Sequence, residues 1–382
     1  MRLNWRLMLA LTAVLAIVAT GCASNEDDGG TDEGTTGQTE EGAAAAGATE
    51  SGGDLAGTIV GAGASSQAAA MEGWQAGFQS ANPGVTVNYD PVGSGGGREQ
   101  FLAGATMFAG SDAYLDAEEI ELSAERCPGG EPAINLPHYI SPVAVAFNLE
   151  GIDTLNMSPD VIGGIFAATI TSWDDPAIAE DNPDVELPDL PINPVHRSDD
   201  SGTTENFTGY LDAVAPDAWP YGEVETWPSE AGGEGAPQTS GVVQAVTAGN
   251  GSIGYMDASQ IQDLGTVAVG VGEDFVPFSA EAAAAVVDVS PRAEDRAEGD
   301  FAIELARDTT ESGVYPIVLV SYHIVCQAYE DAETVELVTA FMEYVGSEEG
   351  QQAAAESAGS APISEELRAE IADVLSTIEV AS

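Results

Sequence analysis

The chain's 382 residues suffice for two domains once targeting and linker segments are set aside, and 64 Asp+Glu against 9 Lys+Arg give a formal net charge of −55. Every basic residue is Arg and none is Lys, which excludes a Walker A phosphate loop and Schiff-base chemistry, since both need a lysine. So acidic a chain repels nucleic acid and anionic membrane surfaces, and its carboxylates suit solvation in a saline medium.

Residues 1–21 read as an export signal, with Arg2 and Arg6 ahead of an apolar stretch at 7–19 that is too short to span a bilayer comfortably. The stretch ends in Ala19-Thr20-Gly21-Cys22, small residues before a cysteine as in a bacterial lipoprotein processing site, and cleavage there would leave Cys22 as the lipidated first residue. Residues 22–54 are dominated by Gly, Ala, Thr, Ser and acid and hold no aromatic residue, a composition that predicts a disordered tether. As a random coil it would reach roughly 30 Å on average. Only Cys127 and Cys326 remain in the mature body. An oxidising exterior favours a disulfide between them, although spacing alone leaves two separately buried thiols open.

From Leu55 onward short apolar runs alternate with helical periodicity, the pattern of an α/β protein. Strands are predicted at 58–60, 85–89, 143–147, 192–195, 252–255 and 316–325. Helices are predicted at 66–79, 159–166, 203–211, 242–248, 332–345 and 365–378. No internal repeat is evident.

Four polar clusters sit beside predicted strand ends or helix starts. Gly61-Ala62-Gly63-Ala64-Ser65-Ser66 runs from a strand into a helix, where exposed N–H groups and the positive end of the helix dipole favour an anion. It lacks the glycine spacing and the acidic ribose contact of a dinucleotide fingerprint. Gly93-Ser94-Gly95-Gly96-Gly97-Arg98 offers the Ser94 hydroxyl and backbone N–H groups. In Phe108-Ala109-Gly110-Ser111-Asp112-Ala113 the carboxylate of Asp112 lies among small and apolar neighbours, and taken alone it reads as a helix cap. The strongest cluster extends from His196 to Thr208. There the Arg197 fork can grip an oxyanion, Asp199 can hold the fork, and Ser201, Gly202 and Thr203 supply donors from a helix start.

In this order, and with the segments 251–255, 315–317 and 360–363, the clusters resemble the PstS family, the phosphate-binding proteins of phosphate-specific ABC import. The resemblance covers nearly all of the chain after the tether. It implies that Ser65, Ser66, Ser94, Asp112, Arg197, Ser201, Gly202 and Thr203 hold inorganic phosphate, with Asp199 pairing the arginine. Ser66 stands where a larger residue such as Phe is frequent, and Gly95 where a second Ser is frequent; backbone donation would survive both changes. The resemblance also implies a two-domain, type II periplasmic-binding-protein fold of the Venus-flytrap kind. Domain I would comprise 55–143 and 318–382 and domain II 144–317, with crossings near 143–147 and 315–318. Cys127 and Cys326 then fall in one domain. Membrane permease subunits are the expected partners, the protein is expected to be a monomer, and neither cofactor nor metal is called for.

The main alternative is a secreted hydrolase with Ser201 or Ser94 as nucleophile. No Gly-x-Ser-x-Gly elbow occurs, and His138, His196 and His323 have no metal-ligand spacing.

Overall fold

The computed structural model describes residues 55–382. The export signal, Cys22 and the tether lie outside the described residues.

The body opens with β1 (Ala56–Gly63), α1 (Ala68–Ala81), β2 (Gly84–Asp90), α2 (Ser94–Leu102) and β3 (Phe108–Ser111). Next come α3 (Ala117–Arg126), β4 (Ile134–Phe147), β5 (Thr154–Met157), α4 (Pro159–Phe166), α5 (Pro176–Asp181), β6 (Asn193–Arg197) and α6 (Gly202–Val214). β7 (Glu234–Ala236), α7 (Gln238–Ala248), β8 (Ser252–Asp257), a 3-10 turn (Ala258–Gln260), β9 (Gly265–Val271), β10 (Asp274–Val276) and α8 (Ala280–Val289) follow. The chain closes with β11 (Val318–Val325), β12 (Ala328–Tyr329), α9 (Ala332–Gly346), α10 (Glu348–Ala358), α11 (Glu365–Leu375) and β13 (Glu379–Val380).

The main sheet runs β2-β1-β3-β11-β4-β8-β6-β7. It has two halves that share β4. In the first half β1 pairs in parallel with β2 and β3, and β11 pairs antiparallel with β3 and with β4 over Ile134 to Pro142. From Val143 to Phe147 the same strand pairs instead with β8, and β8 in turn pairs with β6. β4 is buried along its whole length, so its apolar residues show no alternation with solvated ones, and Asn135, His138 and Ser141 are buried with them. Val143 N–H also donates to the Ile317 carbonyl (2.7 Å) and Tyr315 Oη to the Val143 carbonyl (2.9 Å), so two chain segments run side by side where the sheet changes partners.

Helices start where the sequence supplies caps. Asp116 closes a capping box with Glu119 at the head of α3, and Ser201, Ser279, Asp331, Ser347 and Ser364 each accept a backbone N–H from the first turn of the following helix. α11 stops at Leu375 rather than at the expected 378. Cys127 and Cys326 form a disulfide with Cα atoms 5.6 Å apart, joining the end of α3 to the end of β11 within the first half.

Candidate functional site

The four clusters converge. β3 delivers Asp112 from its C-terminal end, and four side chains from three chain segments pin that residue. Ser66 Oγ, on the turn between β1 and α1, donates to both carboxylate oxygens of Asp112 (2.7 and 2.8 Å). Thr203 Oγ1, in the first turn of α6, donates to Oδ2 (2.9 Å). Ser94 Oγ, at the start of α2, accepts the Asp112 N–H (3.1 Å), and Asn206 Nδ2 donates to the Asp112 carbonyl (2.9 Å). Asp112 is therefore no helix cap, the role its local sequence alone suggests.

Arg197 ends β6 with its guanidinium buried. Nε donates to Asp199 Oδ1 (2.9 Å), Nη2 pairs with Asp199 Oδ2, and Nη1 reaches Thr203 Oγ1 (3.5 Å). Asp199 is held in turn by the Gln238 N–H (2.9 Å). Ser201 is the N-cap of α6 and its hydroxyl accepts the Thr204 N–H (3.2 Å), so the N–H groups of Gly202 and Thr203 belong to a helix start without intrahelical acceptors. A side chain at Gly202 would lie 2.8 Å from Asp112 Cβ and 2.9 Å from Ser94 Oγ. The bare helix start thus lets the second half press against the first.

Ser65 shares the turn with Ser66, and its hydroxyl is turned to the head of α7. Its hydroxyl shares a hydrogen bond with Thr239 Oγ1 (3.1 Å) and accepts the Thr239 N–H (3.1 Å) at the head of α7. At Gly95, the position where the family often has Ser, a Cβ would sit 2.6 Å from that of Asp200, so glycine suits the close fit here.

The comparisons settle the family. A model of the PBP superfamily domain matches residues 43–349. PstS 2 of Mycobacterium tuberculosis, a phosphate-binding protein, is 35% identical over 329 residues, covering 83% of this chain and 86% of that one. The chain belongs to the PstS family. Phosphate-binding protein PstS 3 of the same organism is 33% identical over 382 residues, 97% of each chain. Among solved structures, a high-affinity periplasmic phosphate-binding protein, PfluDING, bound with phosphate has 25% identity and a TM-score of 0.67, covering 82% of this chain and 92% of that one. A phosphate-binding protein of Stenotrophomonas maltophilia shares the fold at 21% identity and a TM-score of 0.65. The two-domain, periplasmic-binding-protein-like fold expected from the sequence is thereby shown.

In this PstS-family chain the two carboxylates of the site are tuned in opposite directions. Burial raises Asp112 above the ordinary carboxylate range, opposed by the hydroxyls of Ser66, Ser321 and Thr203 and by the charge of Arg197. Burial also pushes on Asp199, but hydrogen bonding to Arg197, the arginine's charge and the Gln238 amide together hold it below its ordinary value. His196 stacks on Trp227 with ring centroids 4.7 Å apart and bonds through Nδ1 to its neighbour's carbonyl (2.8 Å). Its Nδ1 is engaged there, while the Ser201 hydroxyl caps α6. Among the described residues no group of three or more His, Cys, Asp or Glu is placed to hold a metal, and no helix is long and apolar enough to cross a membrane.

Three contributors escaped the sequence. Thr239 and Gln260, whose Nε2 donates to the Ser65 and Ser66 carbonyls (3.0 and 3.3 Å), lie far along the chain from the turn they hold, and no local motif marks either. Asn206 falls inside the strongest cluster, but its bond to the Asp112 carbonyl depends on tertiary approach.

Proposed function

We propose that this chain is an extracytoplasmic solute-binding lipoprotein that captures inorganic phosphate between two lobes and delivers it to the permease subunits of an ABC importer. The lobes are residues 55–143 with 318–382, and residues 144–317. Tethered through lipidated Cys22, the body acts as a monomer on the outer face of the cell membrane. The observation that carries this reading is the convergence on one point of a buried carboxylate, a buried arginine fork and a helix start, drawn from both halves of the sheet.

Ser66, Ser94, Ser201, Gly202, Thr203 and the Ser65 backbone supply neutral donors to the anion, while Arg197 supplies the charge. With a net charge of −55 the distant field opposes an approaching anion, so short-range donors must supply the affinity. Phosphate near neutral pH keeps at least one O–H, which Asp112 accepts. Sulfate has no proton to give and would leave that carboxylate facing a like charge. Because only the closed arrangement presents both sets of donors, bound phosphate draws the population towards closure.

Protein stripped of anion, titrated with phosphate and sulfate in separate calorimetric runs, tests this reading. One-site phosphate binding at about micromolar or tighter, roughly −8 kcal/mol, with sulfate silent, is the expected result. Folded protein that takes up neither anion would overturn it.

A further inference from the structure

Arg98 has no part in the cradle described above, yet its side chain is only 7% exposed. It lies one helical turn after Ser94 on α2 and uses every face of its fork. Nε donates to Glu119 Oε1 (2.7 Å) and Nη1 to Ser111 Oγ (3.0 Å), both within the first half. Nη1 and Nη2 then meet Glu225 Oε1 and Oε2 (3.0 and 2.7 Å) in a two-toothed contact with the loop between α6 and β7. Burial works against the guanidinium charge, but its hydrogen bonds and charge pairing with Glu225 and Glu119 more than offset this and raise its pKa.

Both ends of this pair are wired to the cradle. Ser111 immediately precedes Asp112, and Arg98 shares α2 with Ser94, the acceptor of the Asp112 N–H. On the other side, the Glu225 carbonyl accepts the Ser201 N–H (3.2 Å) at the head of α6. Thr208 fastens the same loop by donating to the Val224 carbonyl (3.0 Å) and accepting the Val224 N–H (2.9 Å). Around the pair the halves touch closely, since Gly95 N–H donates to the Asp200 carbonyl (3.3 Å) and a Cβ on Gly93 would lie 2.5 Å from Asp199 Oδ2.

We propose that the Arg98–Glu225 ion pair is the latch of the closed cleft: it forms when the two halves meet, sets how slowly the bound anion leaves, and positions Asp112 and Ser201 through their neighbours. The inference rests on the phosphate-capture reading. Its asymmetry follows from the geometry. Arg98 keeps Glu119 whether the cleft is open or closed, while the Glu225 carboxylate, 23% exposed, is the arriving member that exchanges water for the fork. An unlatched cleft leaves Nη2 without its acceptor and Nη1 with Ser111 Oγ alone, so closure gains the pair's bonds and opening must break both together.

Stopped-flow phosphate release from the full mature chain tests the latch with two substitutions. Glu225→Gln keeps the shape and removes the charge, whereas Arg98→Lys keeps the charge and removes the fork. Both are expected to speed phosphate release at least tenfold while changing association less than threefold, since loss of a closing contact acts on departure. Lowered melting temperature with release within twofold of wild type would mark the pair as a mere strut and overturn the proposal. A second readout uses spin labels on Glu121→Cys and Asp217→Cys, two exposed positions in opposite halves. A longer inter-label distance after Glu225→Gln supports the latch, and an unchanged one refutes it. If wild-type protein binds no phosphate the capture reading falls by itself, and the distance measurement still decides whether the pair closes the cleft.

Discussion

On the proposed reading the buried carboxylate of Asp112 faces the anion, and the cost of that choice separates ligands. Replacing it with Asn exchanges an obligatory acceptor for a group that can also donate. Asp112→Asn is expected to relax discrimination against sulfate by about 1–3 kcal/mol, or roughly 5- to 150-fold, in paired calorimetric titrations. Equal selectivity in wild type and variant would sink the acceptor argument. Glu205 gives a second residue-level test. Burial, with Glu225 and Glu223 nearby, raises it from the ordinary 4.5 to about 8, against the opposing pull of Arg98 and Arg307. A carboxyl raised in this way adds stability that is full below about pH 4.5 and is lost as pH climbs through about 8. Glu205→Gln should therefore match wild type near pH 4 and exceed it by ~2 kcal/mol at pH 9 in denaturant titrations, a figure discounted for partial exposure. Much of the cradle was legible because Ser66, Asp112, Arg197 and Thr203 each sit in a short motif with a chemical signature. Arg98 was visible as the end of such a motif, but its partner Glu225 lies 127 positions away in a loop that has none.

α2 shows where element-level reading stopped short. Three consecutive glycines after Ser94 suggest an open turn, since each costs about 1 kcal/mol in a helix relative to Ala, yet Ser94–Leu102 is helical. Packing explains it. A Cβ at Gly97 would lie 2.3 Å from Gly63 Cα, so the helix can settle on β1 only without a side chain there. Gly97→Ala is predicted to destabilise the protein by about 2 kcal/mol or more despite alanine's better helix propensity. Gly96→Ala, whose Cβ meets nothing closer than Val92 Cγ2 at 3.3 Å, should stay within about 0.5 kcal/mol of wild type. Melting curves of the two variants separate packing from propensity, and equal losses would contradict this account. The first part of β4 was hidden for another reason. Pro137 and Pro142 argue against a central strand, but the pairing with β11 slips between Ser321 and Tyr322, leaving His138 as the extra residue of a bulge. That bulge places His138 Nδ1 2.9 Å from His323 Nδ1 in the core, where burial lowers His138 to about 3 and both rings stay neutral.

The architecture of the whole molecule was the most readable level, because alternating strands and helices prescribe α/β layers and the ordered motifs resemble one family. What sequence could not supply was the way β4 serves both halves, since a run of apolar residues does not announce a change of partner at Val143. The disulfide adds a topological consequence. Cys127 and Cys326 are 199 positions apart, so every residue between them, including the whole second half, lies on one covalent ring. With no lysine in the chain and the Arg292 side chain 42% exposed, this ring offers trypsin a ready point of entry at that residue. Cleavage there should leave one band on a non-reducing gel and two after reduction; two bands without reductant would show that the bond is missing. A single breach of the ring thus leaves one covalent molecule, with both halves of the sheet still attached.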